Sequence, residues 1–118
     1  MPKLLSPRTH GVLDYVTVAV FALAPTLLGL DGLAAMLSYV LAVVHLAMTL
    51  LTAFPLGVVA RIPFSLHGTV ELIVGAALVL AGSFLFEGPE RMFYLVMGAV
   101  ILLVYLTTDY KGSPVAAR

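Results

Sequence analysis

Residues 10–29 read HGVLDYVTVAVFALAPTLLG, and residues 67–86 read HGTVELIVGAALVLAGSFLF. A helix needs roughly 20 apolar residues to cross a bilayer core, and each stretch is of that length and character. Each also opens on one polar pattern: His10-Gly11 with Asp14 four positions after the histidine, and His67-Gly68 with Glu71. At the same offset the match continues through Ala19/Ala76, Leu23/Leu80, Ala24/Ala81 and Leu28/Leu85. The chain therefore reads as one unit used twice, with repeat 1 over about 6–57 and repeat 2 over about 63–112.

The rest of the composition agrees. Of 118 residues, 62% are hydrophobic and 10% charged, and the mean hydropathy is +1.13. Soluble domains carry about 25% charged residues, so this composition indicates a membrane protein. Six basic residues balance six acidic ones, which gives no basic patch for a nucleic acid. With no cysteine, disulfides, thiolate metal sites, cysteine nucleophiles and thioether haem attachment are excluded. With no tryptophan, an interfacial belt must be built from Tyr and Phe.

Working outward from the motif gives four apolar runs, at 11–30, 33–54, 68–86 and 92–108. Ser6-Pro7 is a helix start, with Ser as N-cap and Pro at the first helical position. Asp31-Gly32 breaks and restarts the chain with Asp31 as N-cap, and 55–63 is a loop holding Arg61. Glu87-Gly88-Pro89-Glu90 is a tight turn that places acidic residues in the first turn of the last helix. The runs lack the alternation of a lipid-facing barrel. Asp14 and the later repetition argue that the first run is retained rather than removed as a signal peptide. The expected fold is an all-α integral membrane domain over 1–118, with four transmembrane helices as two tandem, parallel-repeat hairpins.

Lys3, Arg8, Arg61, Lys111 and Arg118 fall on the side of the termini and middle loop, whereas Arg91 lies opposite, beside Asp31, Glu87 and Glu90. The positive-inside rule then places both termini in the cytoplasm, N-in and C-in across the inner (cytoplasmic) membrane. That topology gathers the polar residues of the runs in one half. His10 and Asp14 start the first helix, and His67 and Glu71 start the third. His45, Thr49 and Thr52 end the second, and Tyr105 and Asp109 end the fourth. Helical spacing sets His10, Asp14 and Thr17 on one face, His67, Glu71 and Gly75 on another, and Gly98, Tyr105 and Asp109 on a third. Polar stripes on membrane helices turn to the bundle interior. Gly75, Gly82 and Gly98 allow close helix approach.

Metal binding is the sharpest chemistry for such a cluster. His10, Asp14, His67 and Glu71 resemble in type the inward-facing Glu and His sets of di-iron bundles, and His45 and Asp109 could add weaker ligands. Nitrogen and oxygen donors without sulfur suit a divalent transition metal such as Zn, Fe, Mn or Co. The bland alternative is polar glue, with each His bonded to its own carboxylate and Arg8 and Arg61 neutralising Asp14 and Glu71 at a shallow depth. Haem b on His10 and His67 is a weaker reading, because Asp14 and Glu71 would crowd the porphyrin edge. A proton or ion path lacks polar stepping stones in the outer half. Pro25 reads as a tolerated kink, His45 as a hydrogen-bonded interior histidine, and Met36, Met48, Met92 and Met97 as packing. No serine is spaced to form a nucleophilic dyad with His10 or His67, so an enzyme has the least support. The expected partners are the lipid bilayer and a second copy or larger membrane complex.

The stretch Asp14-Tyr15, then Leu23-Ala24-Pro25-Thr26-Leu27-Leu28-Gly29, then Ala34-Ala35-Met36 and an apolar helix resembles the SPW-repeat membrane proteins. Ala24-Pro25-Thr26 stands where that family has Ser-Pro-Trp, and repeat 2 has Ala81-Gly82-Ser83 there. The resemblance implies two membrane helices per repeat and a bacterial cytoplasmic membrane, and it implies no activity.

Overall fold

A computed structural model describes residues 2–111. Arg118 and position 112, the expected end of the second repeat, lie outside the described residues. Four helices account for most of the chain: α1 (Pro7–Leu28), α2 (Gly32–Leu50), α3 (Phe64–Phe84) and α4 (Gly88–Thr107). All four are long and apolar enough to cross a membrane.

The termini follow local rules. Ser6 is extended and its hydroxyl accepts the Thr9 N–H, with Pro7 opening α1. Pro25 stays inside α1, and its carbonyl accepts the N–H groups of Gly29 and Leu30, which closes the helix. Asp31 takes the N-cap backbone position of α2 but its side chain makes no capping bond. Its own N–H donates to Glu90 Oε2 at 3.3 Å, tying together the two turns at that end.

Helices α1 and α2 pack as one hairpin and α3 and α4 as another. In the second, small residues let the backbones touch: a Cβ on Gly98 would stand 2.8 Å from the Gly75 carbonyl oxygen and from the Val79 nitrogen. Across the hairpins, Phe21 meets Phe93 edge to face at 5.8 Å. The buried Tyr94 hydroxyl donates to the Ala34 carbonyl at 2.6 Å. This apolar half of the interior also holds Leu78, Met97 and Ile101.

The distribution of side chains is inverted relative to a water-soluble bundle. Helix α2 buries Ala34, Ser38, Ala42, His45 and Thr49, while Leu33, Met36, Val40 and Val43 are exposed. Water would penalise that arrangement, and hydrocarbon suits it.

The second apolar run, expected over 33–54, leaves the helix after Leu50, and its last residues pair in parallel with the end of the expected loop 55–63. Strand β1 (Thr52–Ala53) pairs with β2 (Ile62–Pro63), Thr52 opposite Ile62. A second parallel bridge joins Leu5 to Thr108, with the Leu5 N–H on the Thr107 carbonyl and the Asp109 N–H on the Leu5 carbonyl, both 2.9 Å. Leu5 precedes His10 just as Ile62 precedes His67. Each bridge thus fastens the start of a motif helix to the end of α2 or α4.

Candidate metal centre

The two bridged corners bring both copies of the motif together. His10 Nε2 and His67 Nε2 each stand 2.6 Å from Glu71 Oε1, so a single carboxylate oxygen sits between the imidazoles. Asp14 completes the group, with Oδ1 3.2 Å from His10 Nε2 and Oδ2 3.0 Å from His67 Nε2. One donor atom from each of the four residues lies within 4.8 Å of all the others. For metal–ligand bonds of about 2.0–2.1 Å, neighbouring corners of a tetrahedron are about 3.3 Å apart, which falls inside this range of separations.

The outer shell assigns the proton on each ring. Thr108 Oγ1 donates to the Val104 carbonyl at 2.6 Å, as a threonine near a helix C-terminus commonly does. Its lone pairs then accept from His10 Nδ1 at 2.8 Å. Thr52 does the same on the other side, donating to the Met48 carbonyl at 2.6 Å and accepting from His67 Nδ1 at 2.7 Å. With its proton on Nδ1, each neutral histidine presents the Nε2 lone pair to the carboxylates; with Nε2 protonated as well, His10 donates to Glu71 Oε1 at 2.6 Å. Metal-ligating histidines are held in this way. Lone pairs facing carboxylates repel unless a cation stands between them. Asp14 Oδ2 and His67 Nε2, buried 3.0 Å apart, make no well-aligned hydrogen bond among the described residues, whereas His10 Nε2 lies in hydrogen-bond geometry to Glu71 Oε1.

Burial corrects the expected depth. Asp14 and Glu71 are each 2% exposed, and His10 and His67 are fully buried. The polar-glue alternative put both carboxylates at a shallow depth, but Phe54, Phe64 and Tyr110 cover that end. Phe54 stacks on Phe64 at 5.3 Å, and Phe64 meets Tyr110 at 4.7 Å. Arg8 and Arg61 are exposed, and among the described residues the ion pairs of Asp14 and Glu71 are made by histidines alone.

The motif glycines seat two covering rings. A Cβ on Gly11 would lie 2.9 Å from Leu56 Cβ and 3.0 Å from Phe54 Cε2, and one on Gly68 would lie 2.6 Å from Tyr110 Cε1. Burial pushes the Tyr110 phenol upward from its ordinary range, and the nearby Glu71 and Asp14 charges reinforce the shift.

The two secondary candidates diverge. His45 reaches the cluster, its Nε2 3.3 Å from Asp14 Oδ1. Asp109 is not in the group of four whose donor atoms lie within 4.8 Å of one another; α4 ends at Thr107 and Thr108 is extended, so the expected Tyr105/Asp109 helical stripe is interrupted. The Asp109 carboxylate accepts the Lys111 N–H at 3.1 Å. A porphyrin has no slot here, because Glu71 Oε1 fills the space between the two Nε2 atoms.

Thr52 and Thr108 were not singled out as partners of the histidines, nor was Tyr110 as a cover. Their signal in the sequence was faint: each threonine stands near a helix end, and Phe54 and Tyr110 each follow one by two positions. No protein family, no curated protein and no solved structure matches the chain.

Proposed function

We propose that this is a four-span membrane protein that binds one divalent transition metal ion through His10, Asp14, His67 and Glu71. The observation that carries the reading is the ring assignment. Both Nδ1–H groups are spent on threonines whose own protons are spent on carbonyls, which turns both Nε2 atoms toward two buried carboxylates. Two neutral imidazoles and two carboxylates carry a charge of −2, and a divalent ion neutralises it in a place where unpaired charge is costly. A nitrogen and oxygen set without sulfur favours Zn, Fe or Mn.

The same reading takes the chain as two tandem hairpins. The paired bridges Leu5/Thr108 and Ile62/Thr52 support that repeat. Lys3, Arg8, Arg61 and Lys111 lie at the metal end and Arg91 at the other, which supports a metal centre near the cytoplasmic face with both termini inside. The lipid-facing coat fits a bilayer partner.

Elemental analysis of protein purified in detergent without chelator tests the proposal, followed by stripping and reloading with Zn, Mn or Fe(II). One ion per chain is expected for the wild type and none for the His10→Ala/His67→Ala double variant. A wild type that holds no ion under any loading condition refutes it. The 2.6 Å contacts favour one rival: an ion-pair lock of two imidazolium rings and two carboxylates. That lock gives the same melting temperature with and without added metal.

A further inference from the structure

We infer that the metal centre carries one exogenous ligand, water or a small anion, that accepts a hydrogen bond from Tyr110; this rests on the metal reading above. The two covering rings are pseudo-equivalent. Phe54 follows Thr52 by two positions and sits on Gly11, and Tyr110 follows Thr108 by two positions and sits on Gly68. Phenylalanine therefore satisfies the packing on one side, and the other side differs by a hydroxyl.

That hydroxyl is buried and makes no well-aligned hydrogen bond among the described residues; its near neighbour, the Thr108 hydroxyl, is already engaged with Val104 and His10. A buried hydroxyl without a partner costs about 1–3 kcal/mol, so its presence points to an acceptor outside the protein's own atoms. The acceptor belongs at the metal centre on two grounds. The Tyr110 ring lies 5.6 Å from the His10 ring, and its Cζ, which bears the hydroxyl, would stand 2.6 Å from a Cβ on Gly68, the residue after His67. A phenol is protonated at neutral pH, so it donates. Four protein donors would close a tetrahedral zinc site, but an Mn or Fe ion that takes more than four ligands keeps a position open beside them. The acceptor is then an oxygen or nitrogen atom on that ion: a water or hydroxide, exchangeable for a monoanion such as azide.

Cobalt(II)-loaded wild type and Tyr110→Phe, titrated with azide in detergent and followed by the visible d–d bands, test the inference. Both proteins should take up one cobalt. The variant should need about ten- to a hundredfold more azide, the loss expected for one hydrogen bond to a charged ligand. Equal azide affinity in the two proteins, or a wild type whose bands ignore azide, overturns the inference while the metal reading stands. A wild type that takes up no cobalt overturns the metal reading itself. A second measurement needs no variant. Water-proton relaxation of Mn(II)-loaded wild type should show an inner-sphere water, and its absence overturns the inference.

Discussion

Replacing Thr52 and Thr108 by Val removes the two hydroxyls that orient the site histidines and keeps their shape. In the wild type the Nδ1–H of His67 lies 2.7 Å from Thr52 Oγ1 and that of His10 lies 2.8 Å from Thr108 Oγ1. With metal bound, each Nε2 must keep its lone pair, so the proton has to remain on Nδ1 and would face a methyl group. A buried donor left without an acceptor costs about 1–3 kcal/mol, or about ten- to a hundredfold in affinity per histidine. Outer-shell changes at metal sites fall in the same range. Without metal the neutral ring escapes this cost, because the proton can move to Nε2 and bond to Glu71. Metal affinity should therefore drop while the metal-free melting temperature holds. Competition against a chromophoric chelator in micelles gives the affinity, and a thermal melt gives the stability. Unchanged affinity in Thr52→Val/Thr108→Val would refute the assignment of the Nδ1 protons. A lowered metal-free melting temperature would favour the imidazolium lock, which needs all four ring N–H groups satisfied.

Three further outcomes are expected. Glu71→Gln removes the charge shared by His10 and His67 at 2.6 Å and should weaken metal binding more than either threonine change, by the same competition assay. Gly98→Ala forces a Cβ to 2.8 Å from the α3 backbone at Gly75 and Val79, and should lower stability in micelles by about 1–3 kcal/mol with metal stoichiometry retained. The chain has no cysteine, so single cysteines report topology without background. A cysteine at Lys3 should be shielded from an impermeant thiol reagent on intact cells, and one at Arg91 should react; the reverse pattern would invert the proposed orientation.

The helices were legible because membrane-length apolar runs leave few alternatives. The gathering of His10, Asp14, His67 and Glu71 was also legible, since two copies of one motif on helices running the same way share a depth. Complete burial was not. The stripes were expected to face the bundle interior, but the polar-glue alternative left Asp14 at a shallow depth, because a sequence is blind to Phe54, Phe64 and Tyr110 folding over the end. Asp109 was placed on the α4 face by helical spacing, but the Leu5–Thr108 bridge ends the helix first. Two-residue bridges carry no periodicity for a sequence to display. Thr52 and Thr108 look like ordinary threonines bonding back to their own helix, and their second role depends on which histidine the fold brings to them.

X-ray absorption at the metal edge of the loaded wild type tests the central claim most directly, namely that both motif copies bind one ion. The claim predicts nitrogen and oxygen neighbours at about 2.0–2.2 Å, no sulfur, and outer-shell scattering from two imidazoles per ion. That scattering should halve in His67→Ala if the variant retains metal. A spectrum with one imidazole or none in the wild type would contradict it.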